Sequence, residues 1–330
     1  MARIRVGVLR GGISSEYDVS LKTGANVLAN LPADKYKAVD ILITKDGEWH
    51  IGGLPITGYD LAANVDVVWN ALHGTYGEDG QVQKILETIG IPFTGSDSAS
   101  SLVGMNKVLT KEQFKKMGIK TPAWAVAIMP DMSAENYSGE ILECAKDIYR
   151  KIPPPWIIKP LSGGSSIGIS IARSLPEIAL ALEKVFEAGD DALAEEFITG
   201  KEATCGVVDN FRGQKTYALL PTEIRKPHDT HWKFEDKYNG STEEICPGNF
   251  SKEESRKIQQ LSIQIHEGLG LRHYSRSDFI IHPKRGIYAL EVNTLPGLTS
   301  ESLLPKSLGA VGANMEQFLE HVLTIALDGK

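Results

Sequence analysis

The chain has 330 residues, 42% hydrophobic and 23% charged, with a formal net charge of −7. That length exceeds one typical domain and the composition supports real cores, so two or three domains are expected. The acidic balance argues against nucleic acid as a partner, and no apolar run is long enough to span a membrane.

The opening Met1-Ala2-Arg3-Ile4-Arg5 leads straight into a strand, without an apolar signal region. Ile4–Leu9 ends in Gly11-Gly12, and Ser14-Ser15-Glu16 can start a helix reaching Ala29. Ala38–Ile43 and Val65–Leu72 read as further strands, the second followed by His73-Gly-Thr-Tyr-Gly-Glu-Asp-Gly80. Val82, Ile85, Leu86 and Ile89 recur at helical spacing, and Ile91–Thr94 is a short closing strand. This βαβ order predicts a parallel sheet with ligands beyond the strand C-termini, where both Gly-rich turns lie.

From Ser96 a helix holding Met105, Lys107 and Phe114 leads to a strand at Ala123–Ile128. Residues 129–155 are polar, end in three prolines and read as a loop or weak helix. Strands Trp156–Pro160 and Ile167–Ala172 follow, then a helix over Pro176–Ala188 and a strand over Ala192–Ile198. Glu202–Val208 and Tyr217–Ile224 read as strands. Residues 226–250 are too long for a passive connection and form a candidate lid. A helix over Glu253–Leu269 precedes two more strands, and Met315–Ala326 is a closing amphipathic helix. Three widely spaced cysteines, Cys144, Cys205 and Cys246, lack histidines at metal-site spacing and fit reduced packing residues in the cytoplasm.

The chemistry concentrates in those two late strands. Ser275-Arg276-Ser277-Asp278-Phe279 is followed, across a turn at Pro283-Lys284-Arg285-Gly286, by Glu291-Val292-Asn293. Antiparallel pairing would gather Asp278, Glu291 and Asn293 on one face, with Arg276 beside them. Two carboxylates and an amide oxygen suit Mg²⁺ with nucleotide phosphates as its remaining ligands. A neighbouring arginine suits a negatively charged transition state. An ordinary hairpin with a solvated polar face is the alternative.

Other motifs stay ambiguous alone. Ser162–Ser166, with Lys159 before it, is either a phosphate cradle or a flexible hairpin loop; it lies between strands, so it is no Walker A loop. Glu195, Phe197, Ile198 and Glu202 could serve adenine and ribose or belong to a half-exposed strand. His73 could meet a substrate carboxylate or satisfy a backbone group, and Glu16 could anchor an ammonium or complement a helix dipole.

Taken in order, these residues resemble the D-alanine–D-alanine ligase family of ATP-grasp enzymes. The likeness runs through Gly11-Gly12 with Glu16, His73–Gly80, Met105-Asn106-Lys107, Lys159-Pro160, Gly164–Gly168, Glu195–Ile198 with Glu202, and Asp236-Lys237-Tyr238. It continues through Arg276–Phe279 and Glu291–Thr299 to Ser302-Leu303. Departures are Asn106 where the family commonly has aspartate, Ser162-Gly163 where it often has Arg-Glu, and a lid reading Trp232–Tyr238 in place of Tyr-Asp-Tyr-Glu-Ala-Lys-Tyr.

The resemblance implies an α/β and α+β multidomain fold: an N-terminal Rossmann-like (pre-ATP-grasp) parallel-sheet domain over 1–96, then a two-lobed ATP-grasp fold. Its central lobe would span 97–198 and its C-terminal lobe 199–330. The implied activity is ATP-dependent ligation of two D-alanines through a D-alanyl phosphate, for peptidoglycan synthesis, by a cytoplasmic homodimer. Alternatives are D-serine or D-lactate as second substrate, another ATP-grasp ligase, or a non-catalytic nucleotide-binding regulator. Asp278, Glu291 and Asn293 would hold two Mg²⁺ ions, with Mn²⁺ able to substitute. Lys107, Lys159, Ser165, Ser166 and Lys237 would contact the phosphates, and Glu195, Phe197, Ile198 and Glu202 the nucleoside. Arg276 and the Gly297 N–H would form an oxyanion hole. Glu16 and His73 would bind the first D-alanine, and Ser302 and Leu303 the second. Glu16, Ser165 and Tyr238 would link the lid to the site. A tyrosine at 238 matches the dipeptide-forming branch, so D-alanine is the expected second substrate.

Overall fold

A computed structural model describes residues 2–133, 136–161, 168–225 and 242–329. Among these residues the strands form three sheets. The first is built from β1 (Ile4–Gly11), α1 (Tyr17–Asn30), β2 (Tyr36–Ile43), β3 (Trp49–Ile51), β4 (Leu54–Ile56), α2 (Leu61–Asn64), β5 (Val67–Asn70) and α3 (Gln81–Ile89). Its order is β4-β3-β2-β1-β5, with β1 parallel to both neighbours. The expected parallel core is present, and an antiparallel hairpin, β3–β4, extends it. The expected closing strand at Ile91–Thr94 is reduced to a parallel bridge between Val68 and Phe93. Strand β1 is covered on both faces: Val6 and Val8 enter one core, Leu9 the other. Such double burial explains why its middle, Val6-Gly7-Val8-Leu9, carries no polar side chain, with Arg5 and Arg10 to either side.

The second unit comprises α4 (Ser98–Met105), α5 (Lys107–Lys116), β6 (Trp124–Ala127), α6 (Tyr137–Lys151), β7 (Trp156–Pro160), β8 (Ser170–Ala172), α7 (Leu175–Glu187) and β9 (Ala192–Glu196), with sheet order β6-β9-β7-β8. The helix expected around Met105 and Phe114 is two helices. Asn106 ends α4 and caps α5, its Oδ1 accepting from the N–H groups of Val108 and Leu109, both at 3.0 Å. A further correction concerns 129–155. Ile141, Ala145 and Ile148 are buried at helical spacing in α6, which packs on α7 through a shared core, so this is a firm helix.

The third unit holds β10 (Lys201–Asp209), β11 (Thr216–Ala218), β12 (Thr222–Arg225), β13 (Glu243–Ile245), α8 (Lys252–Gly268), β14 (Tyr274–His282), β15 (Gly286–Asn293), α9 (Leu303–Ala310) and α10 (Met315–Asp328). The order is β13-β12-β10-β14-β15, with β11 also on β10. The strand expected over Tyr217–Ile224 is thus split into β11 and β12. Of the candidate lid, 226–241 lie outside the described residues. Residues Glu243–Ile245 pair with β12 and belong to the sheet.

The C-terminal helix does not stay with its own sheet. Phe318, Leu319, Val322 and Leu323 of α10 share a core with Val6, Val8, Val27 and Trp69 of the first unit. Trp69 stacks on Tyr274 at 6.1 Å between ring centroids, and Phe318 meets both rings edge-on. Nearby, the N–H of Gly95 donates to His273 Nδ1 at 3.0 Å, and the His273 N–H donates to Asp209 Oδ2 at 2.7 Å.

Two outcomes follow. Asn106→Ala removes the α5 cap and should lower stability by about 1 kcal/mol in urea unfolding, whereas Asn106→Asp should stay close to the parent. The second concerns acid. Burial, then the Arg272 charge, depresses the His273 pKa from 6.5 to about 4. The unfolded chain therefore takes up this proton first as pH falls, and the contribution, complete above pH 6.5, is lost by about pH 4. The shift amounts to about 3 kcal/mol. Unfolding followed from pH 7 to 4.5 should show this slope, and His273→Asn should flatten it. An unchanged slope in that variant would refute the assignment.

Candidate functional site

Where the three units meet is a cavity of about 810 Å³. The first unit contributes Glu16, His73 and Glu78, the second Lys107 and Lys159, and the third Arg276, Glu291 and Asn293, with Gly297, Ser302 and Leu303 at one end. All of these but Glu78 were singled out by sequence, and they are the ones brought together. Asp278, Glu195, Phe197, Ile198 and Glu202 do not line it. Ser165, Ser166, Lys237 and Tyr238 lie outside the described residues.

The late hairpin has the expected register. Asp278 faces Glu291 and Arg276 faces Asn293, and a bulge follows immediately, so that Phe279 faces Ala289. The bulge leaves Leu290 unpaired in the ladder and turned to the cavity wall. Arg276 grips Asp278 through two bonds, Nε to Oδ1 and Nη2 to Oδ2, both 3.1 Å. Thr204 Oγ1 donates a further bond of 2.5 Å to Asp278 Oδ1. Burial works against the Arg276 charge, but Asp278 and Glu291 outweigh it and raise the pKa. The buried Asn293 Oδ1 has no hydrogen-bond partner. An orphaned amide oxygen beside the carboxylate of Glu291 fits a hard cation. The described residues contain no cluster of three His, Cys, Asp or Glu side chains fit for a metal, so such a site depends on the amide.

Across the cavity, Glu16 occupies the cap position of α1 without using its side chain as a cap. His73 is 5% exposed and held from both sides, Nε2 by Thr23 Oγ1 at 2.8 Å and Nδ1 by Glu78 Oε1 at 3.4 Å. Glu78 also accepts from the Gly74 N–H at 3.0 Å, fixing the glycine-rich turn. Ser302 Oγ accepts from the Thr299 N–H at 3.0 Å. A Cβ on Gly297 would come within 2.9 Å of that oxygen, so any larger residue there would displace the Ser302 hydroxyl.

The lysine wall is the most charged part. Lys107 stands at the first position of α5, where the helix dipole opposes a cation. Burial draws its pKa down, Lys159 adds to that shift and Glu291 opposes it. Glu195, expected as a nucleoside ligand, turns its carboxylate to Lys159 at 2.6 Å and to Lys111 at 2.5 Å. Burial alone would raise the Glu195 pKa, but the two lysine charges hold it at about 2. Lys111, Thr204, Glu78 and Thr23 were not singled out by sequence. Only Lys111 left a trace, four residues after Lys107 on the α5 face that also carries the buried Phe114.

Comparison with known proteins bears on this site. A family profile described as "D-ala D-ala ligase C-terminus" matches residues 113–324, and one described as "D-ala D-ala ligase N-terminus" matches 5–55 and 53–96. The D-alanine–D-alanine ligases of Geotalea uraniireducens and Geobacter sulfurreducens are each 36% identical over 98% of this chain, covering 95% and 94% of their own lengths. Among solved structures, the Bacillus anthracis D-alanine–D-alanine ligase complexed with ATP superposes with a TM-score of 0.78 at 32% identity, over 98% of each chain. The VanG D-Ala:D-Ser ligase of Enterococcus faecalis gives 0.83 at 27% identity, over 98% of this chain and 100% of that one. With both profiles matched and relatives alike over almost its whole length, the chain belongs to the D-alanine–D-alanine ligase family.

Proposed function

We propose that the chain joins two D-alanine molecules into D-alanyl-D-alanine using ATP, supplying a peptidoglycan precursor. The supporting observation is the convergence on one cavity of two lysines, an arginine, and carboxylate and amide oxygens from three separate units, in a chain of this family. A carboxylate and an ammonium do not condense in water unless the carboxylate is activated. The first D-alanine carboxylate would attack the γ-phosphorus, releasing ADP and forming a D-alanyl phosphate. The amine of the second, having lost a proton, would attack the acyl carbon and expel phosphate.

In this scheme Lys107 and Lys159 position and neutralise the ATP phosphates. Ser165, Ser166 and Lys237, outside the described residues, are assigned there by family likeness. Phe197, Ile198 and Glu202 would take the nucleoside, with Glu195 acting through Lys159. Support comes from an apolar cluster of Ile198, Ile280 and Tyr288 with Leu290, which borders the cavity. Glu291 and Asn293, with Asp278 opposite, would hold two Mg²⁺ ions, or Mn²⁺ in their place. Bound there, the metal would supply neutralisation of phosphate charge. Arg276 and the Gly297 N–H would face the oxyanion of the tetrahedral intermediate. Glu16 would hold the first ammonium, His73 would lie near that substrate's carboxylate, and Ser302 and Leu303 would receive the second carboxylate. Tyr238 and Ser165 complete the set with Glu16 by family likeness.

The three sheets support domains over 1–96, 97–198 and 199–330, with the lid assignment resting on 226–241. A cytoplasmic homodimer belongs to the same proposal through family likeness alone. Among the described residues no helix is long and apolar enough to cross a membrane. D-Serine as second substrate is the runner-up, favoured by the Enterococcus likeness and by how little one hydroxyl changes in such a pocket.

Phosphate release from Mg·ATP, with D-alanine, L-alanine, D-serine and D-lactate offered in turn, tests the assignment. D-Alanine should stimulate most, and no response to it would end the proposal. Arg276→Ala should lower kcat by about 10²–10³-fold. Asp278→Ala should abolish turnover while the far-ultraviolet circular dichroism spectrum stays unchanged.

A further inference from the structure

Lys111 does not line the cavity and is 1% exposed, among the most deeply buried charges of the chain. Its Nζ donates to Thr121 Oγ1 at 3.0 Å and lies 2.5 Å from Glu195 Oε1. The other carboxylate oxygen, Oε2, lies 2.6 Å from Lys159 Nζ. Lys159, unlike Lys111, reaches the cavity wall. Two lysines therefore share one carboxylate away from solvent; burial draws the Lys111 pKa down and the Glu195 charge opposes that shift.

Burying a charge is costly unless it is paired. A one-to-one pair of Lys159 with Glu195 would meet that need, and a third buried charge would then add cost without use. Its presence changes what Lys159 offers the cavity. In a one-to-one pair Glu195 would neutralise the ammonium and could swing with it. Held on its far oxygen by Lys111, the carboxylate has one orientation, and the group keeps an excess of one positive charge at the wall.

We propose that Lys111 is a positioning residue for nucleotide phosphates: it anchors Glu195, which in turn holds the Lys159 ammonium in place, and it preserves the positive excess that a phosphate chain neutralises. This rests on the reading of the cavity as an ATP site. A plain structural clamp between α5 and β9 makes a different demand, since its loss would weaken folding without discriminating between charged and uncharged ligands.

The discriminating quantity is the ratio of ATP to adenosine affinity, measured by calorimetry on the full chain beside thermal unfolding and steady-state kinetics. Lys111→Met should lower that ratio by about tenfold, the weight of one charge-assisted contact. It should raise KM for ATP far more than it lowers kcat. The double variant Lys111→Met with Glu195→Gln removes one charge of each sign and restores the excess. Lacking the carboxylate that holds Lys159, it should recover only part of the ratio, to a value between those of Lys111→Met and the parent, and it keeps the test open if Lys111→Met does not fold. ATP binding by the parent with an unchanged ratio in Lys111→Met would overturn the role of Lys111 and leave the ATP site standing. A tenfold loss of the ratio in the double variant would overturn it equally. A parent chain that binds no ATP would overturn the site itself and this inference with it.

Discussion

The register of strand β14 decides which charged groups meet and which apolar faces are buried. The strand pairs with β10 along one edge and β15 along the other, and its alternation assigns each face a separate task. One face carries Tyr274, Arg276, Asp278 and Ile280 in succession, which reach the aromatic core of the first unit, the polar site and the apolar cluster around Ile198. The other carries Phe279 and Ile281 into the core beneath α8, with Ser275 bonded to His266 of that helix. A slip of one residue would drive Arg276 and Asp278 into that apolar core and turn Phe279 to the cavity. Burial on both faces therefore fixes the register, and the register fixes which charges meet.

Around that strand the chain breaks local preferences where charges gather. A lysine opens α5 against the helix dipole, Glu195 is buried in β9, and an arginine–aspartate pair occupies the middle of β14. Each is unfavourable singly, and each is compensated by another group at the same cavity. Such concentrated violations mark a place where folding alone does not dictate the residue. The Lys111–Glu195–Lys159 group sets two lysines against one carboxylate, while Glu291, whose charge acts on Lys107, Lys159 and Arg276, shares its strand with the orphaned Asn293 oxygen. A polyanion and a hard cation are the pair of ligands that would satisfy both.

Much of this was legible in the sequence wherever the signal was local. The alternation around Asp278 and Glu291 predicted the hairpin and its shared face, and the glycine-rich turn after β5 was placed at the sheet's ligand edge. Local signals failed in three ways. The strands β3 and β4 are three residues each, too short for alternation to register. Helix α6 hides its apolar spacing among charges and leads into Pro153-Pro154-Pro155, so composition suggested a loop. Glu195 and Glu196 are adjacent on a strand, and nothing in the sequence says which turns inward. The structure buries Glu195 against the lysines and leaves Glu196 paired with Arg285. Lys111 was missed because its meaning comes from β9, more than eighty residues away.

The least legible feature is the return of α10 to the first unit, and it governs the cavity more than any motif. Glu16, at the cap of helix α1, and Asn26 reach the cavity while Val27, the next residue along the helix, packs in the core that holds Phe318 and Val322 of α10. Asn26 Nδ2 also donates to the Leu298 carbonyl at 2.6 Å, tying α1 to the turn that carries Gly297 and Ser302. The wall with Glu16 and the wall with Gly297 thus come from opposite ends of the chain and are held by contacts that use neither residue. Positioning of two reactants demands tolerances far finer than binding does. In this fold the Trp69–Tyr274–Phe318 packing and the Asn26–Leu298 bond hold these walls, so the spacing between the Glu16 wall and the Gly297 wall is a property of the core, not of the residues that line the cavity.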